Sequence, residues 1–277
     1  MGYASVMVYV DDVDSANARI GLACDLAEMF DAALIGVAGS VPDMPVIDPY
    51  TGGAMLGDVW TEEQAIAGEE VKRAEGRFRS IAGARRSRLD WRGAVDYPAD
   101  LVATQARAAD LIILGRESLR PSPNHAADPG DVLMAAGRPI LLASPGSAQK
   151  PMLAHVLVAW KDSREARRAV ADSLPLLARA GKITVIGIAE GDDETSNRHS
   201  VEDVANFIGL HGADATALAV SSDGRSASDQ ILAFAEANGV GLIVLGGYGH
   251  ARAREWIFGG VTRSLLRTSP ICCLFSH

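Results

Sequence analysis

The chain has 277 residues, 48% hydrophobic and 22% charged, with a net charge of -9 and a pI near 5.2. That is enough material for one large or two ordinary domains with sizeable cores. The acidic balance argues against a duplex nucleic-acid partner, since the densest basic stretch, Arg85-Arg86-Ser87-Arg88, reads as solvated loop charge. No apolar run approaches the roughly 18 residues needed to span a bilayer, and the N-terminus has no signal pattern.

Taken in order, the chain opens on a short apolar strand around Val6-Met7-Val8, followed by Asp11, Asp12 and Asp14. Tight acidic clusters suit hard cations, but Asp14 more simply caps the helix that follows, and no metal site is assigned. Residues 40–60 hold Pro42, Pro45, Pro49, Gly52, Gly53 and Gly57, and read as an excursion. The next helix is expected to begin at Thr61, with Gln64 completing a capping box. Val71, Ala74, Phe78 and Ile81 form its buried stripe. A strand at 109–115 ends in Gly115, and a further apolar strand spans 139–144.

Pro145 to Pro151 reads as a linker, after which the pattern repeats. Val156-Leu157-Val158 matches Val6-Met7-Val8 at an offset of 150. Val-Gly-Leu-Ile-Val-Leu-Gly at 240–246 matches Ala-Asp-Leu-Ile-Ile-Leu-Gly at 109–115 at an offset of 131, so the first copy is longer by 19 residues. In the second copy Ser163 caps a helix over about 164–180, which Pro175 should kink or weaken. A strand follows at 182–189. A helix then carries Val201, Val204, Ala205 and Ile208 on one face. After it come a strand at 215–220 and a helix at 227–237 stopped by Asn238-Gly239. The copy closes with a strand at 241–246, a helix at about 257–268 and a strand at 271–276. Domains are expected at 1–146 and 153–277, joined by a linker at 147–152. Alternation of this kind implies a mostly parallel sheet with right-handed crossovers, whose ligands bind beyond the carboxyl ends of the strands. Cys24, Cys272 and Cys273 have neither disulfide nor zinc spacing and read as buried thiols of a reducing cytoplasm.

The loop after the strand at 241–246 carries the chemistry. Gly246, Gly249 and Gly259 stand at G-x-x-G-x9-G spacing, and glycines there let backbone N–H groups approach an anion. With the Trp-Lys-Asp-Ser-Arg-Glu-Ala run at 160–166, the Arg-Glu-Trp-Ile-Phe-Gly-Gly-Val-Thr-Arg run at 254–263 and the terminal Pro-Ile-Cys-Cys-Leu, this half strongly resembles the universal stress protein family. The resemblance covers nearly the whole chain, twice. It implies two tandem Rossmann-like α/β domains of the adenine nucleotide alpha hydrolase type, each a five-stranded, mostly parallel sheet with helices on both faces. It also implies pairing of the copies' last strands in an intramolecular pseudo-dimer, a homodimer being a further arrangement, and ATP or a related adenine nucleotide as ligand.

Departures from the family pattern locate the expected site. The family's hydroxyl residue after the third glycine is Gly260 here, and its first-strand Asp is replaced by Lys161, beside Asp162. The first copy keeps Asp11, but Ser118 and Asp128 replace two glycines, and Pro129 and Asp131 follow. That copy reads as having exchanged its anion site for a built-in carboxylate cap. The nucleotide-binding candidates are therefore Trp160, Lys161, Asp162, Gly246, Gly249, His250, Arg252, Gly259, Gly260, Val261 and Thr262 in the second copy. Two readings stand for Trp160, against a planar ligand or packed under the loop. Two also stand for His250 and Arg252, ligand contact or plain solvent exposure. No P-loop, nucleophile elbow or zinc-protease motif is present, so a stress-linked binding or regulatory module is expected rather than an enzyme. A structural dimerisation module without nucleotide, or a slow ATP hydrolase, are the alternatives.

Overall fold

The computed structural model describes residues 2–43, 56–85, 88–116, 123–144, 151–189, 194–248 and 260–277. By its internal packing the chain divides into an N-terminal unit, 3–136, and a C-terminal unit, 137–277 together with the first two residues.

The N-terminal unit runs β1 (Ser5–Tyr9), α1 (Ala16–Phe30), β2 (Ala33–Gly39), α2 (Leu56–Ala82), β3 (Leu89–Ala94), α3 (Pro98–Gln105), β4 (Leu111–Gly115) and α4 (Pro129–Ala135). Its strands lie in the order β3-β2-β1-β4, and every pairing is parallel. β1 is central, and Val6, Met7 and Val8 are wholly buried. Each such side chain contributes at most about 1.5–3 kcal/mol by leaving water. On α2, Ala74 and Phe78 are buried, as the stripe predicts, and Phe78 packs on Trp91 of β3 at 5.6 Å between ring centroids.

Two expectations at helix starts are corrected. α2 begins at Leu56, so Thr61 lies inside it, and its hydroxyl bonds back to the Gly57 carbonyl at 2.8 Å instead of capping. Ahead of α1 the capping position belongs to Ser15, without a side-chain bond, while Asp14 is fully exposed.

The C-terminal unit holds β5 (Ile140–Ala143), β6 (Val156–Trp160), α5 (Arg164–Leu177), β7 (Ile183–Ala189), α6 (Glu194–Leu210), β8 (Ala215–Ser221), α7 (Ala227–Ala237), β9 (Leu242–Gly246), α8 (Gly260–Thr268) and β10 (Cys272–Ser276). Five parallel strands run β8-β7-β6-β9-β10, repeating the order of the first unit. β5, the last strand of the first copy, pairs antiparallel with β10, placing Leu142 opposite Cys273 and Ile140 opposite Phe275. The last strands of the two copies thus pair as the resemblance implied.

Local chemistry explains the helix ends. Ser163 accepts from the Ala166 N–H at 3.2 Å, and Ser226 from the Asp229 N–H at 3.1 Å, each satisfying a donor that the first turn leaves over. Asn238 caps the far end of α7, and Gly239 follows with φ 63°, in the left-handed region that suits glycine. α5 stops at Leu177, two residues beyond Pro175. Among the described residues no helix is long and apolar enough to cross a membrane. The three cysteines are buried and unbridged.

Candidate functional site

In the C-terminal unit, the carboxyl ends of β6 and β9 lie side by side, with Ala159 in register with Leu245. Trp160 and Gly246 therefore end neighbouring strands. Trp160 is buried, and its indole N–H donates to Ser200 Oγ of α6 at 2.7 Å. Gly246 has a steric reason to be glycine. A Cβ there would come within 2.5 Å of the Ala166 nitrogen and 2.7 Å of the Glu165 carbonyl carbon, in the first turn of α5. Lys161 and Asp162 are exposed, and Asp162 bonds Arg167 at 2.5 Å. Gly260, Val261 and Thr262 form the first turn of α8. That turn carries no acidic residue, and among the described residues a Cβ built on Gly260 meets nothing within 4 Å. Gly249, His250, Arg252 and Gly259 lie outside the described residues.

The corresponding helix start in the N-terminal unit is closed. Asp128 caps α4, its carboxylate accepting from the N–H groups of Gly130 at 2.8 Å and Asp131 at 3.2 Å, and Pro129 supplies no donor. A second carboxylate, Asp131, stands in the same turn. Burial, and then the charges of Asp128 and Asp100, push its pKa up. An arriving phosphate would meet negative charge and donors already in use. Ser118, Pro121 and the remainder of 117–122 lie outside the described residues.

A cavity of about 150 Å³ lies at the carboxyl ends of β1 and β2, walled in part by Asp11, Ser40, Glu70, Val71, Ala74 and His125. Asp11 is not open to a ligand on all sides. Its Oδ1 bonds Arg19 Nη2 at 2.6 Å, with both side chains buried, while Arg19 Nε donates to the Tyr9 carbonyl at 2.8 Å. Asp12 is bridged by Arg73 at 2.7 Å and Arg77 at 3.4 Å. Among the described residues no group of three metal-ligating side chains converges.

His125, in the cavity wall, clasps three side chains from other segments. Its Nδ1 lies 3.1 Å from Glu70 Oε2 and 3.1 Å from Ser40 Oγ, and its Nε2 lies 3.1 Å from Asp43 Oδ2. Ser40 Oγ donates to Glu70 Oε2 at 2.7 Å. The neighbouring backbone adds Val41 N–H to the Asn124 carbonyl at 3.0 Å, and the Asn124 amide donates to Asp43 at 2.7 Å. Burial alone would lower the His125 pKa, but hydrogen bonding to Asp43 and the charge of Glu70 outweigh it and leave the pKa raised.

Residues 152–276 match the model of the universal stress protein family. The second copy belongs to that family. Over the whole chain, the fold is shared with a universal stress protein from Archaeoglobus fulgidus DSM 4304, at a TM-score of 0.67 and 16% identity over 99% of this chain and 98% of that one. It is also shared with a functionally unknown protein from Pseudomonas aeruginosa PAO1, at 0.58 and 16% identity over 99% and 92%. At such identities the likeness is one of fold. No curated protein matches the sequence.

Both units are thus Rossmann-like domains, and in the second the pairing of β6 with β9 puts Trp160 and Gly246 at the ends of neighbouring strands. Four residues of the first unit escaped that reading: Arg19, Ser40, Glu70 and His125. One of them left a signal. Arg19 falls on the buried face of α1 with Ala16, Ile20 and Ala23, and a charge on an apolar stripe demands a partner. The other three meet only through tertiary structure, 30 to 85 positions apart.

Proposed function

We propose that this chain is a binding and regulatory module rather than an enzyme, taking ATP or a related adenine nucleotide weakly in its C-terminal unit and none at the α4 start. The observation that carries this reading is the contrast between the two helix starts. α8 begins at Gly260 with no carboxylate in its first turn, which leaves the backbone N–H groups of Gly260, Val261 and Thr262 as candidate phosphate donors. α4 begins under Asp128. Membership of the second copy in the universal stress protein family supports an adenine nucleotide as the ligand class. The absence of the family's hydroxyl at Gly260 supports weak binding, since a lost hydrogen bond to a charged group costs about 1.5–3 kcal/mol. Three buried, unbridged thiols suit a reducing compartment such as the cytoplasm.

Calorimetric titration with ATP tests the proposal. Gly260→Ser meets no described residue within 4 Å of its Cβ, and it is expected to tighten binding about ten- to hundred-fold. Asp128→Gly should create no second site. Absence of binding in both the wild type and Gly260→Ser would overturn the reading. That result would favour a purely structural role, to which the antiparallel pairing of β5 with β10 lends weight.

A further inference from the structure

Each unit has a strand with a single neighbour, β3 in the first and β8 in the second. In a parallel ladder such a strand turns both backbone groups of every other residue away from its neighbour. An edge left in this state is a template for a further strand unless charge, proline or a bulge blocks it. β3 is blocked. Its Arg88 carbonyl faces β2, accepting from the Leu34 N–H at 2.8 Å, so the backbone of Leu89, Trp91 and Gly93 faces outward. The outward Trp91 N–H is taken by Asp90 Oδ1 at 2.9 Å, and Asp90 Oδ2 holds Arg92 Nε at 2.9 Å, which sets an ion pair on the edge.

β8 has no such guard. The Ser222 N–H donates to the Ala189 carbonyl at 2.9 Å, so the backbone of Thr216, Leu218 and Val220 faces β7, and that of Ala215, Ala217, Ala219 and Ser221 faces outward. Among the described residues the N–H groups of Ala217, Ala219 and Ser221 meet no acceptor. The strand carries neither charge nor proline, and none of its residues is buried. Its sequence is also a near palindrome in size about Leu218. Ala217 and Ala219 are alike, Thr216 and Val220 are both β-branched, and Ala215 and Ser221 are both small. Run antiparallel against itself, β8 sets Ala217 opposite Ala219 and Ala215 opposite Ser221, as pairs that exchange both hydrogen bonds. Leu218 then meets Leu218 in the closer, non-hydrogen-bonded position. Every cross-strand contact is matched about a two-fold axis. A foreign strand has no reason to share that symmetry, whereas a second molecule of this chain has it by construction.

We propose that β8 is a homotypic docking edge, through which two molecules of this chain pair antiparallel about a two-fold axis at Leu218. The seam is neutral, which spares it the like-charge repulsion that a net charge of -9 imposes between two molecules elsewhere. In this register the nearest acids, Asp214 and Asp223, fall opposite Ser222 and Ala213, and Asp223 is already neutralised by Arg225. The edge is separate from the β5–β10 pairing, which joins two strands of one chain, and it does not rest on the nucleotide reading. A single strand of 7 residues is a small interface, so the dimer is a weak and reversible one.

Sedimentation velocity of the full chain over about 5–500 μM tests this. A monomer–dimer equilibrium with a dissociation constant on the order of 10–100 μM is expected. Leu218→Lys and Leu218→Glu each set like charges opposite one another at the axis, and each should leave the chain monomeric with its circular dichroism unchanged. Their equimolar mixture should recover the dimer, because opposite charges then meet. Ala217→Pro removes an outward donor that β7 does not use and should weaken the dimer about ten-fold or more, which keeps the test open where a charge variant fails to fold. Leu218→Cys should cross-link to itself under mild oxidation, since Cα atoms in a non-hydrogen-bonded pair lie about 4.5 Å apart, within disulfide reach. A chain that stays monomeric at about 500 μM would overturn the proposal, and shifts of its β8 amides on addition of an extended peptide would then give the edge to a foreign strand. So would a dimer indifferent to both Leu218→Lys and Ala217→Pro, or a mixture of folded charge variants that stays monomeric.

Discussion

The starts of α4 and α8 stand at matching places in two copies of one sequence pattern, and they solve one problem in opposite ways. Each has backbone donors that its own helix cannot use. At α4 the protein provides the acceptor itself, with Asp128 bonded to the Gly130 and Asp131 amides. At α8 the first turn carries no acidic residue. A helix start furnished with its own carboxylate is a finished piece of structure, whereas one without it is suited to an outside anion. The two units differ again at β1 and β6. Asp11 after β1 is locked to Arg19, while Lys161 and Asp162 after β6 are exposed. The first copy has turned inward the charges that the family resemblance assigns to a ligand.

The largest test of that contrast is the buried pair. Arg19→Met leaves a largely buried Asp11 charged without its partner and is expected to cost about 3–5 kcal/mol, read as a lowered midpoint in urea. A matching change at the exposed pair, Arg167→Met, should shift stability by under about 1 kcal/mol. Equal effects would mean that the Asp11–Arg19 pair is not sealed as described. Next in size is Gly246→Ala, whose methyl group would collide with backbone of α5. Overpacking of this kind typically costs about 1–3 kcal/mol, and Gly260→Ala, whose Cβ meets no described residue within 4 Å, is the control expected to retain wild-type stability within a few tenths.

Asp128→Ala removes a cap and should cost about 1 kcal/mol. It should leave ATP binding as it was, because Pro129 and Asp131 remain. A gain of ATP binding in this variant would show that one carboxylate alone had closed the first copy. The smallest effect concerns His125. Its folded pKa is raised, so the clasp contributes stability that is fully present below the unfolded value near 6.5 and is lost as pH rises through the folded value. His125→Gln should therefore destabilise the protein more at pH 6 than at pH 8. Melting curves at the two pH values check the sign, and the opposite order would mean that the ring is held neutral.

Much of this architecture was legible in the residues. The repeat, the alternation of strands and helices, and the caps at Ser163 and Asp128 each rest on a local signal that tertiary structure had no reason to override. The misreadings came where a local signal had a competitor. Thr61 and Gln64 have the letters of a capping box, but helix formation continues N-terminal to them as far as Leu56, and the hydroxyl settles for an i−4 carbonyl. Asp14 has a capping side chain one residue too early. The cavity was illegible for a different reason. Asp11, Ser40, Glu70 and His125 come from four separate segments, and no spacing rule links a residue after β2 to one just before α4. The changed phosphate loop of copy one speaks against an anion at α4 and carries no information about the space beside it.

The pairing of β5 with β10 also sets an order of events. Residues 140 and 272 are 132 positions apart, so at about 5–20 residues per second the ribosome finishes β5 roughly 7–26 s before its antiparallel partner exists. Through that interval four wholly apolar residues, Ile140 to Ala143, wait without β10, as exposed strands prone to pairing with other chains do. Synthesis of β10, rather than any ligand, then ends that exposure, and a nascent chain stalled before residue 272 should be the species that chaperones hold longest.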